Sequence, residues 1–301
     1  MKILITGSNG FLGNIINQNL QSKFDVTTLG RQNSDYCVDL SSEKRINFIT
    51  KFDLVIHAAG KAHVLPKTKE DEDSFFKINV EGTKHLLESL MYSGIPKQLV
   101  FISSVSVYGL IVGENINEDS SLLANDPYGK SKIEAEFVVK KWCEENKVIC
   151  TILRLPLVIG ENPPGNFGSM IQGIKKNYYF NIAGGNAKKS MVLASDIAKY
   201  ILKAAEVGGT YNLSDGMHPS FYQLSKTISK DLNKLYVPNM PLILAYILAK
   251  IGDTIGDAFP INSNKLSKIT STLTFDDSKA KKEFGWNPTP VLKGFKLHQN
   301  A

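Results

Sequence analysis

The chain has 301 residues, 43% hydrophobic and 21% charged, long enough to bury a large core and free of repeats or low-complexity runs. A formal charge of +6 suits an acidic ligand, but the lysine clusters (Lys140-Lys141, Lys175-Lys176, Lys188-Lys189, Lys281-Lys282) are separate short pairs. No basic stripe interleaves with aromatics, which argues against nucleic acid, and three cysteines without ligand spacing predict plain thiols in a reduced compartment and no metal site.

The N-terminal run MKILITG enters a strand at once. One lysine and so short an apolar run make a poor signal peptide, so a cytoplasmic location is expected. In chain order the apolar runs predict strands over 2–6, 25–29, 54–57, 98–103 and 148–153. Helical patterns lie between them over 11–21, 41–50, 73–93 and 126–146. The strands are continuously apolar rather than alternating, as when both faces are covered. Alternating β and α elements then predict an α/β fold built on a doubly wound parallel sheet.

Beyond Leu155 the regularity fades. Loops over 160–168 and 184–187 separate helices without nearby strand partners, and a strand over 210–213 is expected to rejoin the main sheet. The run LILAYILAKI over 242–251 is half the roughly 20 residues that span a bilayer, so no transmembrane segment is predicted. A buried helix is the default for it, with docking at a membrane surface as the alternative.

The first strand ends in TGSNGFLG, which sets Gly7, Gly10 and Gly13 three apart before a helix opening at Phe11. Small residues let the backbone approach a pyrophosphate while free N–H groups and the helix dipole face it. A glycine pattern alone is weak. Its place between a first strand and a helix, with a second strand following, makes it a dinucleotide loop of Rossmann type. The expected division is therefore a dinucleotide-binding domain over 1–155 and a smaller, partly interleaved substrate region over 156–301.

A carboxylate at the end of the second strand would bind ribose hydroxyls and select NAD. Here the residues are Leu29-Gly30-Arg31-Gln32, so NADP is favoured over NAD through Arg31, a plain surface arginine being the competing reading. Asp39 is placed to contact the adenine, although it or Ser41 would also serve as a helix cap.

Asn125-Asp126-Pro127-Tyr128 reads as a helix start, capped by Asp126 with Pro127 in the first turn. Tyr128 and Lys132 then share one helix face. A tyrosine needs about 3 pH units of help to act near neutrality, which a nearby ammonium and a cationic nicotinamide ring can supply. That spacing is common in any helix. Ser104, just past a strand end where ligands of such sheets bind, adds a third member able to orient a reacting oxygen.

TGSNGFLG, HAAG at 57–60, NVEGT at 79–83, SSVSVYG at 103–109 and YGKSK at 128–132 occur in order, with FDDSKAKKEFGWNP at 275–288 near the end. Together they resemble the extended short-chain dehydrogenase/reductase family, in its NAD-dependent epimerase/dehydratase group. The resemblance implies Tyr128 as acid/base, Lys132 as the ribose-holding lysine, and Ser104 and Ser106 beside the substrate. Gly7, Asn9, Gly10, Phe11, Leu12 and Gly13 would form the phosphate loop. Arg31, Asp39 and Leu40, the stretch Ala58-Ala59-Gly60, and Ser103, Leu155 and Val158 would line the rest of the cofactor. Asn79 would steady the active-site helix. Lys189 stands where relatives carry an arginine for the substrate diphosphate, without the bidentate fork.

Dehydratases of the group place an acidic pair directly after the serine or threonine; here Val105 and Ser106 follow, which argues against 4,6-elimination. The implied reaction is hydride transfer at C4 of a nucleotide-linked sugar, such as a UDP-hexose or a UDP-linked N-acetylated or 6-deoxy hexosamine. A 4-keto reductase is slightly favoured, with a 4-epimerase as the alternative. A non-catalytic NADP-binding regulator is disfavoured because Ser104, Tyr128 and Lys132 are all kept. A homodimer through two long helices is the family's usual assembly.

Overall fold

The computed structural model describes residues 1–42, 45–62, 66–161, 163, 165–256, 259 and 261–297. The elements run β1 (Lys2–Thr6), α1 (Phe11–Leu20), β2 (Asp25–Gly30), β3 (Tyr36–Cys37), β4 (Leu54–His57) and α2 (Lys69–Phe76). A π-helical turn (Lys77–Glu81) joins α2 to α3 (Gly82–Ser93). There follow β5 (Gln98–Ser104), a 3₁₀ turn (Val105–Tyr108), β6 (Gly113–Ile116), α4 (Pro127–Glu145), β7 (Ile149–Leu155) and β8 (Leu157–Ile159). The remainder comprises α5 (Gly165–Lys175), β9 (Asn181–Ile182), β10 (Met191–Leu193), α6 (Ala194–Val207), β11 (Gly209–Asn212), α7 (Phe221–Asp231) and β12 (Asn239–Met240). It ends with α8 (Leu242–Ile255), α9 (Ser263–Thr270), β13 (Leu273–Phe275), α10 (Ser278–Phe284) and α11 (Val291–Gly294).

Seven parallel strands form one sheet in the order β11-β7-β5-β4-β1-β2-β3. Alternate side chains of the same strands enter two separate cores. Ile3, Ile5, Ile56 and Val100 pack with Ile16 and Leu20 of α1 and Ile197 and Ile201 of α6. Leu4, Val55, Leu99 and Phe101 pack with Leu86 and Leu90 of α3 and Val139 of α4. Burial on both faces is why these strands read as unbroken apolar runs. The chain moves outward from β1 in both directions, so the sheet's switch point lies between β1 and β4, and the crevice beyond their carboxyl ends is where such sheets hold ligands.

Four expectations need correction. No helix forms over the described part of 41–50, Glu43 and Lys44 lying outside the described residues. Ile46 and Phe48 are buried alternately, and the Ile46 and Ile49 N–H groups donate to Ser89 Oγ and Tyr36 OH (2.9 and 3.1 Å) instead of to a helical ladder. The helix expected to start at Asp73 starts at Lys69, because the Thr68 hydroxyl accepts from the Asp71 N–H. The late helices do have strand companions: β8–β10, β9–β12 and β6–β13 form parallel pairs, and α5 begins inside the expected 160–168 loop, where Asn162 and Pro164 lie outside the described residues. Finally, α8 is not a buried helix. It buries only Ala245, Ala249 and Gly252 and turns its large apolar side chains outward. Among the described residues no helix is long and apolar enough to cross a membrane.

Candidate active site

The phosphate loop is built by close approach. Gly7 takes φ +69°, and a Cβ there would stand 2.7 Å from the Ala59 backbone; one on Gly13 would stand 2.1 Å from the Gly7 carbonyl oxygen. No side chain could occupy either point without moving main chain. The Gly10 N–H bonds the Gly7 carbonyl (2.9 Å), and α1 opens at Phe11 with no side-chain cap and no acidic residue in its first turn. Its first N–H groups and positive dipole end are therefore left for an anion. Loop and Ala58-Ala59-Gly60 are one packed object, stitched by Ala58 N–H to the Thr6 carbonyl and Ala59 N–H to Thr6 Oγ1 (both 3.2 Å). His57 beneath it lies between Thr6 and Thr83 hydroxyls (2.6 and 2.9 Å); burial and the Lys132 charge push it down to about 3, so it is neutral and structural.

At the end of β2, Asn9 Nδ2 donates to the Gln32 carbonyl and Ser8 Oγ meets Ser34 Oγ (3.2 Å), tying this turn to the glycine loop. Arg31 is exposed. Asp39 accepts from the Ser41 hydroxyl and N–H (2.7 and 2.9 Å), which, with Arg31 and Lys77 nearby, hold its carboxyl below the usual range. It closes a turn rather than capping a helix, since none follows among the described residues. Leu40 is buried against Gly82, and its carbonyl meets His85 Nδ1 (2.8 Å).

Asp126 caps α4 through the Gly129 N–H (3.0 Å) with Pro127 in the first turn, and this fixes Tyr128 at the helix mouth. Burial raises Tyr128 above its ordinary value, against the opposing pull of the nearby Ser104 hydroxyl, so the phenol is protonated at neutral pH. Ser104 Oγ also accepts from the Ser106 N–H (3.1 Å) and reaches Ser106 Oγ (3.2 Å). Val105 and Ser106 form the following 3₁₀ turn, so no carboxylate stands beside Ser104 there.

Lys132 is buried, donates to the Ile102 carbonyl (2.9 Å), and lies over the Phe101 ring at 4.7 Å. Burial lowers it to about 8 while Glu136 opposes the shift. A Cβ on Gly60 would stand 3.0 Å from Asn79 Oδ1 and 3.3 Å from Lys132 Nζ, so the HAAG stretch runs directly past the lysine. Asn79 receives the Lys61 N–H (2.7 Å) and donates to Ser131 Oγ (2.9 Å), linking that stretch to α4. The structure thus brings Ser104, Ser106, Tyr128, Lys132, Gly60 and Asn79 together.

Other expected residues sit differently. Ser103 donates its hydroxyl proton to Glu136 (2.6 Å), which leaves only its acceptor lone pairs for another group. Leu155 ends β7 within the first core, and Val158 packs against it from β8. Lys189 lies just before β10, half-buried; burial and Lys268 of α9 lower it to about 8. Two lysines that feel each other's charge suit an anionic group beside them.

One constellation escaped sequence reasoning. Glu136, one turn beyond Lys132, forms a bidentate buried pair with Arg154 (2.8 and 3.1 Å); Arg154 also donates to Tyr108 OH (3.0 Å), which donates to Asn212 (2.8 Å). Four-residue spacing from Lys132 was the available signal, since it sets Glu136 on the same helix face.

A glycine cradle at the sheet's switch point, with a serine, a tyrosine and a lysine converging beside it, defines a nicotinamide-dinucleotide enzyme of the short-chain dehydrogenase/reductase class. The chain belongs to the NAD dependent epimerase/dehydratase family, which matches residues 3–214. It is 26% identical over 296 residues to an N-acetyl-α-D-glucosaminyl-diphospho-ditrans,octacis-undecaprenol 4-epimerase of Escherichia coli O157:H7, covering 92% of this chain and 88% of that one. To a UDP-glucose 4-epimerase of Vibrio cholerae it is 28% identical over 318 residues, 99% and 94% of the two chains. Its fold is similar to that of the UDP-glucose 4-epimerase of Thermotoga maritima, solved with UDP-glucose, with a TM-score of 0.79 at 21% identity, covering 99% of this chain and 97% of that one.

Proposed function

We propose that the protein moves a hydride at C4 of a hexose or N-acetylhexosamine carried on a diphosphate, preferentially as an NADPH-dependent 4-keto reductase. The observation that carries the direction is the end of β2, where Gly30 and exposed Arg31 stand in place of a carboxylate. A guanidinium there complements a 2′-phosphate. The chain divides by task near Leu155: the first part holds the cofactor, and the rest supplies Lys189 and Lys268 to the substrate diphosphate.

The bound nicotinamide supplies the hydride. In this chain Ser104 orients the C4 oxygen, and Tyr128 passes it a proton from a phenol that burial keeps protonated. Lys132, held by the Ile102 carbonyl and balanced by Glu136, secures the ribose and stabilises the phenolate left behind. Val105 and Ser106 provide no acid or base for elimination.

A 4-epimerase is the second reading, favoured by the activities of the Escherichia coli and Vibrio cholerae relatives, which match over nearly the whole chain. Those two carry their sugars on different groups, a polyprenol diphosphate and a nucleotide, and share only the diphosphate. The test offers UDP-linked 4-keto sugars with NADPH and, separately, UDP-N-acetylglucosamine with catalytic cofactor. Stoichiometric NADPH oxidation supports the reductase; C4 inversion without net oxidation makes the protein an epimerase. Arg31→Ala should weaken NADPH by about 1–3 kcal/mol and leave NADH nearly unchanged; equal losses would remove the argument from β2.

A further inference from the structure

Helix α8 is inside out. Its small residues, Ala245, Ala249 and Gly252, face the protein and pack on Leu266 of α9 and on Ile261. Its large residues face away: Ile243, Ile247, Ile251 and Ile255 recur every fourth position and are 74%, 53%, 42% and 55% exposed. Four-residue spacing places them in one ridge along the helix. Leu244 and Tyr246 flank the ridge, both more than half exposed. Just before α8 the chain adds Leu235 and Tyr236, exposed 99% and 74%, beside Lys234 in a shallow hollow that also takes in Tyr179. A ridge of branched apolar side chains on the outside of a fold costs solubility unless something apolar covers it.

The charges choose the cover. Between Ser220 and Thr270 the sequence carries six lysines against three aspartates, with no glutamate or arginine. Lys250 rises from α8 itself and Lys234 borders Leu235. A second copy meeting the ridge through a two-fold axis would set these lysines against their own equivalents. An anionic bilayer accepts them, takes the isoleucines at its acyl boundary, and suits Tyr236 and Tyr246, whose rings are apolar and whose hydroxyls stay wet. We infer that α8, with Leu235 and Tyr236, docks the enzyme on an anionic lipid surface, lying in the interface plane.

Docking also fits the site. α9 packs on α8 and brings Lys268 to Lys189, so the position assigned to the substrate diphosphate is one helix away from the ridge. This last link rests on the proposed function; the docking itself does not.

The test is sedimentation of the full-length protein with vesicles of phosphatidylcholine containing about 30 mol% phosphatidylglycerol. The wild type should pellet with them and be released by high salt. Ile243→Gln/Ile247→Gln/Ile251→Gln should lower binding at least about tenfold, with cofactor binding and thermal midpoint unchanged. Lys234→Gln/Lys250→Gln should weaken binding about fivefold per charge on these vesicles and not on pure phosphatidylcholine. Failure of the wild type to bind, or equal binding by the isoleucine variant, overturns the inference. So does a wild-type dimer that the isoleucine variant splits, with no vesicle binding by either. Vesicle binding without turnover on any diphosphate sugar leaves the docking in place and removes the proposed reaction instead.

Discussion

Helices α4 and α8 break the usual partition of side chains in opposite directions. α4 buries Ser131, Lys132 and Glu136, while α8 exposes a row of isoleucines. Burying polar groups is costly unless each finds a partner, and on α4 these three do: Ser131 with Asn79, Lys132 with the Ile102 carbonyl, Glu136 with Arg154 and Ser103. That inversion is settled within the chain, and it marks chemistry. The inversion of α8 is not settled within the chain, and it marks something outside. Internal polarity points to a site, and external apolarity to a surface.

The sharpest break of this comparison lies on α4. Tyr128→Phe should cut turnover by about 10²–10⁴-fold with cofactor affinity intact, because the ring keeps its place and only the proton carrier is lost. Retention of more than roughly a tenth of the rate would remove Tyr128 from its role. Next in size is Arg154→Met, which leaves the buried Glu136 carboxylate without its bidentate partner, held only by Ser103 and a longer contact to Lys140, and should cost about 3–5 kcal/mol in chemical denaturation. If Glu136→Gln added to it recovered nothing, the pair would not be acting as a unit.

The pH dependence of stability probes the same helix. Lys132 is held at about 8 in the fold against an ordinary value of 10.5. Between those values the unfolded chain binds the proton that the folded one has released, so unfolding free energy should climb with pH across that window. Below about 8 the penalty is present in full. Lys132→Met should flatten the climb without abolishing it, since Lys189 is lowered to the same range. An identical profile would show that the ammonium is not desolvated.

The smallest effects belong to α8. Ala249→Leu, on its inner face, should cost about 1–3 kcal/mol by overpacking. Ile247→Gln, on the ridge, should change stability by less than about 0.5 kcal/mol. Reversed magnitudes would mean that the helix faces the other way.

Sequence made the sheet and helix α4 legible because both rest on local rules. Buried parallel strands are continuously apolar, and Asp126-Pro127 announces a helix start that fixes Tyr128 and Lys132 on one face. The glycine loop was legible for the same reason, its spacing being a demand of main-chain approach. What escaped was set by distant partners. Residues 45–50 are polar enough for a surface helix, yet Ser89 and Tyr36 capture their N–H groups and hold them irregular. The hydroxyl proton of Ser103 goes to Glu136, thirty-three residues later, a partner that no local pattern announces. α8 misled because apolar composition normally means burial, and only the packing shows that its alanines, not its isoleucines, face inward.

The π turn between α2 and α3 has a mechanical consequence. There the Gly82 N–H reaches back five residues to the Lys77 carbonyl. Phe75, Asn79 and Thr83 are spaced by four, and on a straight α-helix eight residues at 100° each would carry the last about 80° around the axis from the first. The wider turn takes up part of that drift, as a vernier takes up a mismatch between two scales. One rod can then meet three partners in line: Phe75 against the Tyr128 ring at 6.0 Å, Asn79 on Ser131, and Thr83 on His57 beneath the glycine loop. Tyr128 and the glycine loop are thereby gauged from a single bar.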